Sequence, residues 1–134
     1  MTKYLLDTNI CVFFMRGKRY IGERIIRNGL DNCFISEITV GELLYGIECD
    51  EINFAENTEK VNELIEKLTV IPITNILQEY AKQKAILRKQ GALIDDMDIF
   101  IGATAIINDM ILVTDNEKHL NRLSNIKIEN WIEK

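Results

Sequence analysis

Short apolar runs of strand length alternate with longer stretches of helical spacing along the whole chain, an order that points to an α/β domain. Residues 3–7, KYLLD, read as a buried strand that ends on an acid. Asn9 to Met15 and Ile21 to Asn28 have helical character, with Gly29 as a stop before a second strand over Cys33 to Ser36. Thr39 followed by Glu42 has the spacing of a capping box, which predicts a helix opening at Thr39 ahead of LLYGI. Val61, Leu64, Ile65 and Leu68 recur at i, i+3, i+4 and i+7, so residues 55–68 read as an amphipathic helix with an acidic outer face. Val70 to Ile73 reads as a third strand, and Pro72 within it indicates a sheet edge or a strand end. A helix over 76–89 is expected to turn Leu77, Tyr80, Ala81 and Ala85 inward and to stop at Gly91. Asp96 to Ile107 is apolar nearly all round, as in a centrally packed helix. Met110 to Thr114 is a fourth strand, a short helical turn follows, and Lys127 to Trp131 adds an edge strand. Connections this long imply a mainly parallel central sheet of about four to five strands with helices on both faces.

At 134 residues the chain has room for one core, so a single domain over residues 1–134 is expected. Its most apolar stretch, Ile99 to Val113, is broken by Asn108 and Asp109, which argues against a membrane-spanning helix. Asp7 interrupts the N-terminal segment before it can form the apolar centre of a secretion signal, so a cytoplasmic protein is expected. Cys11, Cys33 and Cys49 are widely spaced among apolar residues, as reduced structural thiols are. With no Cys-x-x-Cys pair and His119 as the single histidine, structural zinc is not expected.

Four acids fall where an ordinary core would not place them. Asp7 ends the first strand, Glu42 lies in the first turns of a helix, Asp98 opens the apolar helix and Asp115 follows the fourth strand. In an open parallel sheet the crevice lies beyond the carboxyl ends of the strands, where these four can meet. Carboxylates packed together repel unless a cation balances them, and all-oxygen ligation selects a hard ion such as magnesium or manganese. Metal-assisted hydrolysis of a phosphodiester is the natural chemistry of such a site. Each acid also has a structural reading, Asp as a helix cap and Glu42 as the reciprocal partner of Thr39. The apolar flanks YLLD and DIFIGA favour function, because carboxylates so embedded are rarely left unpaired. A receiver-type magnesium-binding switch is a competing class, but it needs paired acids at the end of the first strand, and Asp95 and Asp96 come late. An Asp-x-Asp phosphatase fails because Asn9 stands where its second Asp belongs.

The segments LLDTNICVFF, ISEITVGELLYGIE, IDDMDIFIGATA, LVTDN and IKIENW, in that order and spacing, resemble the PIN-domain ribonuclease toxins of the VapC family over residues 4 to 131. The resemblance implies a single PIN fold and magnesium-dependent endoribonuclease activity, typically on tRNA or ribosomal RNA. It also implies a homodimer and a VapB-like antitoxin whose C-terminal segment blocks the site. It carries the acidic site onto Asp7, Glu42 and Asp98. The family's fourth acidic position falls on Asn116, with Asp115 one residue earlier, so either of the two is a candidate to face the metal. Asp95 and Asp96 are further candidates, a solvated position being favoured for Asp96. In this scheme Asp7 and Asp98 ligate the metal, and Glu42 ligates through water or orients the attacking water. Thr8, Asn9 and Thr114 hold those carboxylates by hydrogen bonds, with helix capping the alternative for Thr8 and Asn9. A PIN nuclease that processes RNA without an antitoxin is the alternative function.

An RNA substrate must be held by cations. Arg16, Lys18 and Arg19 follow Asp7, while Lys118, His119 and Arg122 follow Asp115, so both clusters are candidate phosphate contacts, the alternative being a solvated basic face. Apolar side chains on two consecutive helices over Leu43 to Leu68, Leu43, Leu44, Tyr45 and Ile47 among them, offer a groove for an amphipathic antitoxin helix, or else pack the core. The net charge of -5 argues at first sight against a polyanionic partner. It is an average, because six acids belong to or border the expected pocket and residues 48–66 carry seven acids against one Lys. Outside these two groups the chain is basic, and the acidic stretch is expected to stay away from RNA.

Overall fold

The computed structural model describes residues 1–133, and the last residue of the expected 1–134 domain lies outside them. The chain runs β1 (Tyr4–Leu6), α1 (Thr8–Met15), α2 (Arg19–Asn28), β2 (Cys33–Ser36), α3 (Glu37–Cys49), α4 (Phe54–Lys67) and β3 (Thr69–Ile71). It continues through α5 (Leu77–Lys89), α6 (Asp96–Ile107), β4 (Ile111–Val113), α7 (Glu117–Leu120) and β5 (Ile128–Glu129). The strands form one parallel sheet in the order β3-β2-β1-β4-β5, with Leu5 opposite Phe34 on one side and Leu112 on the other. Pro72 lies just past the edge strand β3, where its missing N–H interrupts no ladder.

The chain builds outward from β1 through β2 to β3 and then returns to place β4 against the other side of β1. The order therefore reverses between β1 and β4, and the crevice beyond their carboxyl ends receives Asp7 from one strand and Thr114 from the other. Strand periodicity divides the core between the two faces. Leu6 and Val113 pack with Ile10, Ile25, Ile47 and Leu64 under α1 to α4, while Leu5 and Leu112 pack with Leu87, Ile99 and Leu120 under α5 to α7. Helix α6 comes close enough to the segment after α7 that a Cβ at Gly102 would overlap the Leu123 side chain. Among the described residues no helix is long and apolar enough to cross a membrane.

Three local expectations need correction. Helix α3 opens at Glu37 rather than at Thr39, because Ser36 ends β2 and caps the helix itself, its Oγ accepting from the Ile38 N–H at 3.0 Å. The inner stripe of α5 and the turn before it is Ile76, Tyr80, Gln83 and Leu87, whereas Leu77, Ala81 and Ala85 are exposed. Gln83 belongs inside because its amide is satisfied there, accepting from Ser124 N at 3.0 Å and donating to Glu79 at 2.8 Å. Cys11 and Cys33 are buried, but Cys49 is exposed, since it lies two residues beyond the buried Ile47 and so on the opposite face of α3.

Candidate active site

Asp7 is both the residue after β1 and the N-cap of α1, and it is 3% exposed. One carboxylate oxygen accepts from the Thr8 N–H at 2.7 Å; the other accepts from the Thr114 hydroxyl at 2.7 Å and from Asn9 Nδ2 at 3.3 Å. Burial pushes its pKa above the ordinary carboxylate value, and these three donors offset part of that rise. Thr114 Oγ1 in turn accepts from the Asn116 N–H at 2.9 Å, while Asn9 Oδ1 accepts from the Asp115 N–H at 3.2 Å. The ends of β1 and β4 are thus tied together around the Asp7 carboxylate.

Glu42 comes from α3, where its Oε1 accepts from the Thr8 hydroxyl at 2.7 Å. Thr8 Oγ1 also lies 3.1 Å from Thr39 Oγ1. A hydroxyl has one proton, so when Thr8 donates to Glu42 it is Thr39 that donates to Thr8. Thr39 is fully buried and is the site residue that sequence reasoning missed. Its spacing to Glu42 was the available signal, but that spacing marks a shared helix face rather than a capping box. Burial raises the Glu42 carboxyl, the charges of Asp7 and Asp95 add to the rise, and the Thr8 hydroxyl opposes it.

Asp98 stands in the first turn of α6, half-buried, with Asn116 Nδ2 at 3.4 Å from its Oδ2. Burial, and then the charges of Asp7, Asp95 and Glu42, push its carboxyl up to about 6. Three carboxylates carried by three different elements thus lie near enough for the charge of Asp7 to act on both Glu42 and Asp98. No Lys or Arg of the described residues forms an ion pair with Asp7, Glu42 or Asp98.

Other expected site residues lie elsewhere. Asp115 is exposed and accepts from Asn130 Nδ2 at 3.0 Å, so it is Asn116, not Asp115, that turns toward Asp98. Asp96 faces α5, where Lys84 Nζ at 2.8 Å and the Tyr80 hydroxyl at 2.9 Å hold its carboxyl below the usual range. Arg16, Lys18, Arg19, Lys118 and His119 are all exposed, and of these Arg16 lines a cleft with Thr8 and Glu42. Arg122 is employed structurally, donating to the carbonyls of Ala92 and Leu93 at 3.3 Å each. Of the expected antitoxin groove, Leu43 and Ile47 are core residues, which leaves Leu44 and Tyr45 at the surface.

Among the described residues no three His, Cys, Asp or Glu side chains stand close enough to grip a metal as they are placed. The donor set nonetheless suits one hard divalent cation, being carboxylates with hydroxyl and amide neighbours and no sulfur or imidazole. Burial raises all three carboxyl groups, neighbouring carboxylates raise Glu42 and Asp98 further, and a bound cation would remove that imbalance.

A family model for the PIN domain matches residues 4–126. Ribonuclease VapC2 of Haemophilus influenzae is 34% identical over 134 residues, taking in 98% of this chain and 100% of that protein. The tRNA(fMet)-specific endonuclease VapC of Salmonella typhimurium is 32% identical, over 98% of this chain and 99% of that one. Among solved structures, DNA-bound VapBC from Salmonella typhimurium superposes with a TM-score of 0.91 at 31% identity, covering 98% of this chain and 100% of the other. PIN-domain nucleases in general depend on a divalent metal. With the model spanning most of its length and relatives matching it end to end, the chain belongs to the PIN-domain family and, within it, to the VapC ribonucleases.

Proposed function

We propose that the chain is a magnesium-dependent endoribonuclease, the toxin of a type II toxin–antitoxin pair, and that it cleaves tRNA or ribosomal RNA. The observation that carries this reading is the trio Asp7, Glu42 and Asp98, near the point where the parallel sheet reverses, with mutually acting charges and no Lys or Arg ion pair among the described residues. A relative of nearly the same length is named as a tRNA endonuclease, which supports the substrate class.

Asp7 and Asp98 would hold the ion, Asp7 fixed by Thr114 and Asn9 and Asp98 by Asn116. When bound, magnesium supplies Lewis acidity toward the phosphate and activates water at neutral pH. Glu42 orients the attacking water, and the Thr39–Thr8 hydroxyl pair fixes the rotamer in which it does so. The half-buried setting of Asp98 and the burial of Asp7 limit competition from bulk water.

Neighbouring structures are VapBC complexes, which supports a VapB-like antitoxin as partner. An apolar cleft of about 150 Å³ between α2 and α4, bordered by Ile26, Leu30 and Leu64, offers a seat for an amphipathic antitoxin helix and uses the α4 part of the expected groove. Homodimerisation would cover exposed apolar side chains such as Tyr45 and Met97, which line one cleft. Such an enzyme works in the cytoplasm, where its RNA is. Induction of the chain alone should arrest bacterial growth and leave new ends in tRNA or ribosomal RNA, and the adjacent antitoxin gene should relieve both effects. Normal growth with intact RNA would refute the toxin reading, and arrest that no antitoxin relieves would favour a stand-alone nuclease.

A further inference from the structure

Thr8 and Glu42 each line two clefts, so the carboxylate site sits on the divide between them. One, of about 610 Å³, is bordered by Tyr45 and Met97. The other, of about 310 Å³, lies between α1, α3 and α4 and contains Arg16 and Lys60. A polynucleotide strand with its scissile phosphate over Glu42 has these two clefts beside it. Among the described residues only the second presents cations. Lys60 is the single Lys within the acidic stretch 48–66, and the fold brings it into the cleft that Thr8 and Glu42 also line.

Neither cation is tied to a strong partner. Lys60 pairs with Glu56 one turn earlier at 3.2 Å, an exposed i,i+4 pair of the kind that contributes little and exchanges readily for a better anion. Arg16 enters no ion pair among the described residues. The remaining acid of the cleft, Asp50, has both oxygens engaged by the Asn53 amide groups and by Asn57 Nδ2, at 3.1 to 3.4 Å. From this arrangement we infer that the α1–α3–α4 cleft is a phosphate subsite, in which Lys60 and Arg16 hold an RNA backbone phosphate next to the scissile one. The inference rests on the ribonuclease reading above. It assigns a binding role to a residue that belongs to an otherwise acidic surface.

The test is steady-state cleavage of a single-stranded RNA oligonucleotide with magnesium, read as KM and kcat, together with salt-dependent RNA binding by an Asp98→Asn background. Lys60→Gln should raise KM roughly fivefold with kcat retained, and should lower the slope of log affinity against log salt by about 0.7. Lys60→Arg should restore both, Arg16→Gln should act like Lys60→Gln, and Lys82→Gln on the exposed face of α5 should change neither. Wild-type cleavage with unchanged KM and salt slope in Lys60→Gln overturns the subsite, as does a Lys60→Gln defect confined to binding of an acidic antitoxin peptide. A wild-type chain that does not cleave RNA refutes the ribonuclease reading instead. The subsite then stands or falls on whether Lys60→Gln lowers the salt slope of RNA binding.

Discussion

Asp98→Asn should make the metal-free protein more stable while removing its activity. The Asp98 carboxyl rises from an ordinary value of 3.8 to about 6 because of burial and the facing charges of Asp7, Asp95 and Glu42. In a dry site a rise of that size corresponds to roughly 3 kcal/mol at neutral pH, and solvent screening at this half-buried group reduces it to about 1 kcal/mol. Native Asp98 binds its proton more tightly than the unfolded chain does. The stability this contributes is fully present below pH 3.8 and is lost as pH rises through about 6. Asn cannot ionise, and its side-chain oxygen can still accept from Asn116 Nδ2. In chelator at pH 7, calorimetry should therefore show Asp98→Asn melting some ~3–5 °C above wild type, and the gap should close by pH 4. Magnesium at about ten times its dissociation constant adds roughly 1.4 kcal/mol to wild type and much less to the variant, which removes or inverts the gap. A variant less stable than wild type at pH 7 in chelator, or a gap independent of pH, would refute the electrostatic account.

Thr39→Val should lower kcat about tenfold or more with KM held, because Thr8 loses the donor that fixes its hydroxyl on Glu42, and Thr39→Ser should restore it in the same assay. Asp115→Asn should leave cleavage within about twofold, as an exposed substitution does, whereas Asn116→Ala should lower it about tenfold by freeing Asp98. A thiol reagent applied to the native protein should titrate Cys49 alone. Cys11 and Cys33 should react only on unfolding, since both are buried and burial pushes the Cys33 thiol up to about 11.

The parts of the fold legible in the sequence are those set by local pattern. Asp7 could be placed because two leucines of a buried strand run straight into it, and Asp98 because an apolar helix begins around it. Parallel order followed from long connections alone. What stayed hidden depends on contacts between distant elements. Whether Asp115 or Asn116 faces the site is decided by the turn after β4, where Thr114 Oγ1 captures the Asn116 N–H while Asn130 takes the Asp115 carboxylate. Thr39 looked like a cap because Ser36, assigned to a strand, also had the cap position within reach. Gln83 displaced the inner stripe of α5 because burial of an amide is readable only once Ser124 is seen to satisfy it. Lys60 lies in a stretch whose acids outnumber it, and only the packing of α4 near α1 and α3 brings it into the cleft that Glu42 also lines.

The Asp7, Glu42 and Asp98 carboxylates would work through a divalent cation that activates water, and one measurement on the purified protein with a defined RNA tests this. Cleavage should require magnesium, stop with excess chelator, return when the ion is restored and leave no 2′,3′-cyclic phosphate, because water rather than the neighbouring 2′-hydroxyl attacks. Cleavage that persists in chelator, or products ending in a cyclic phosphate, would contradict it.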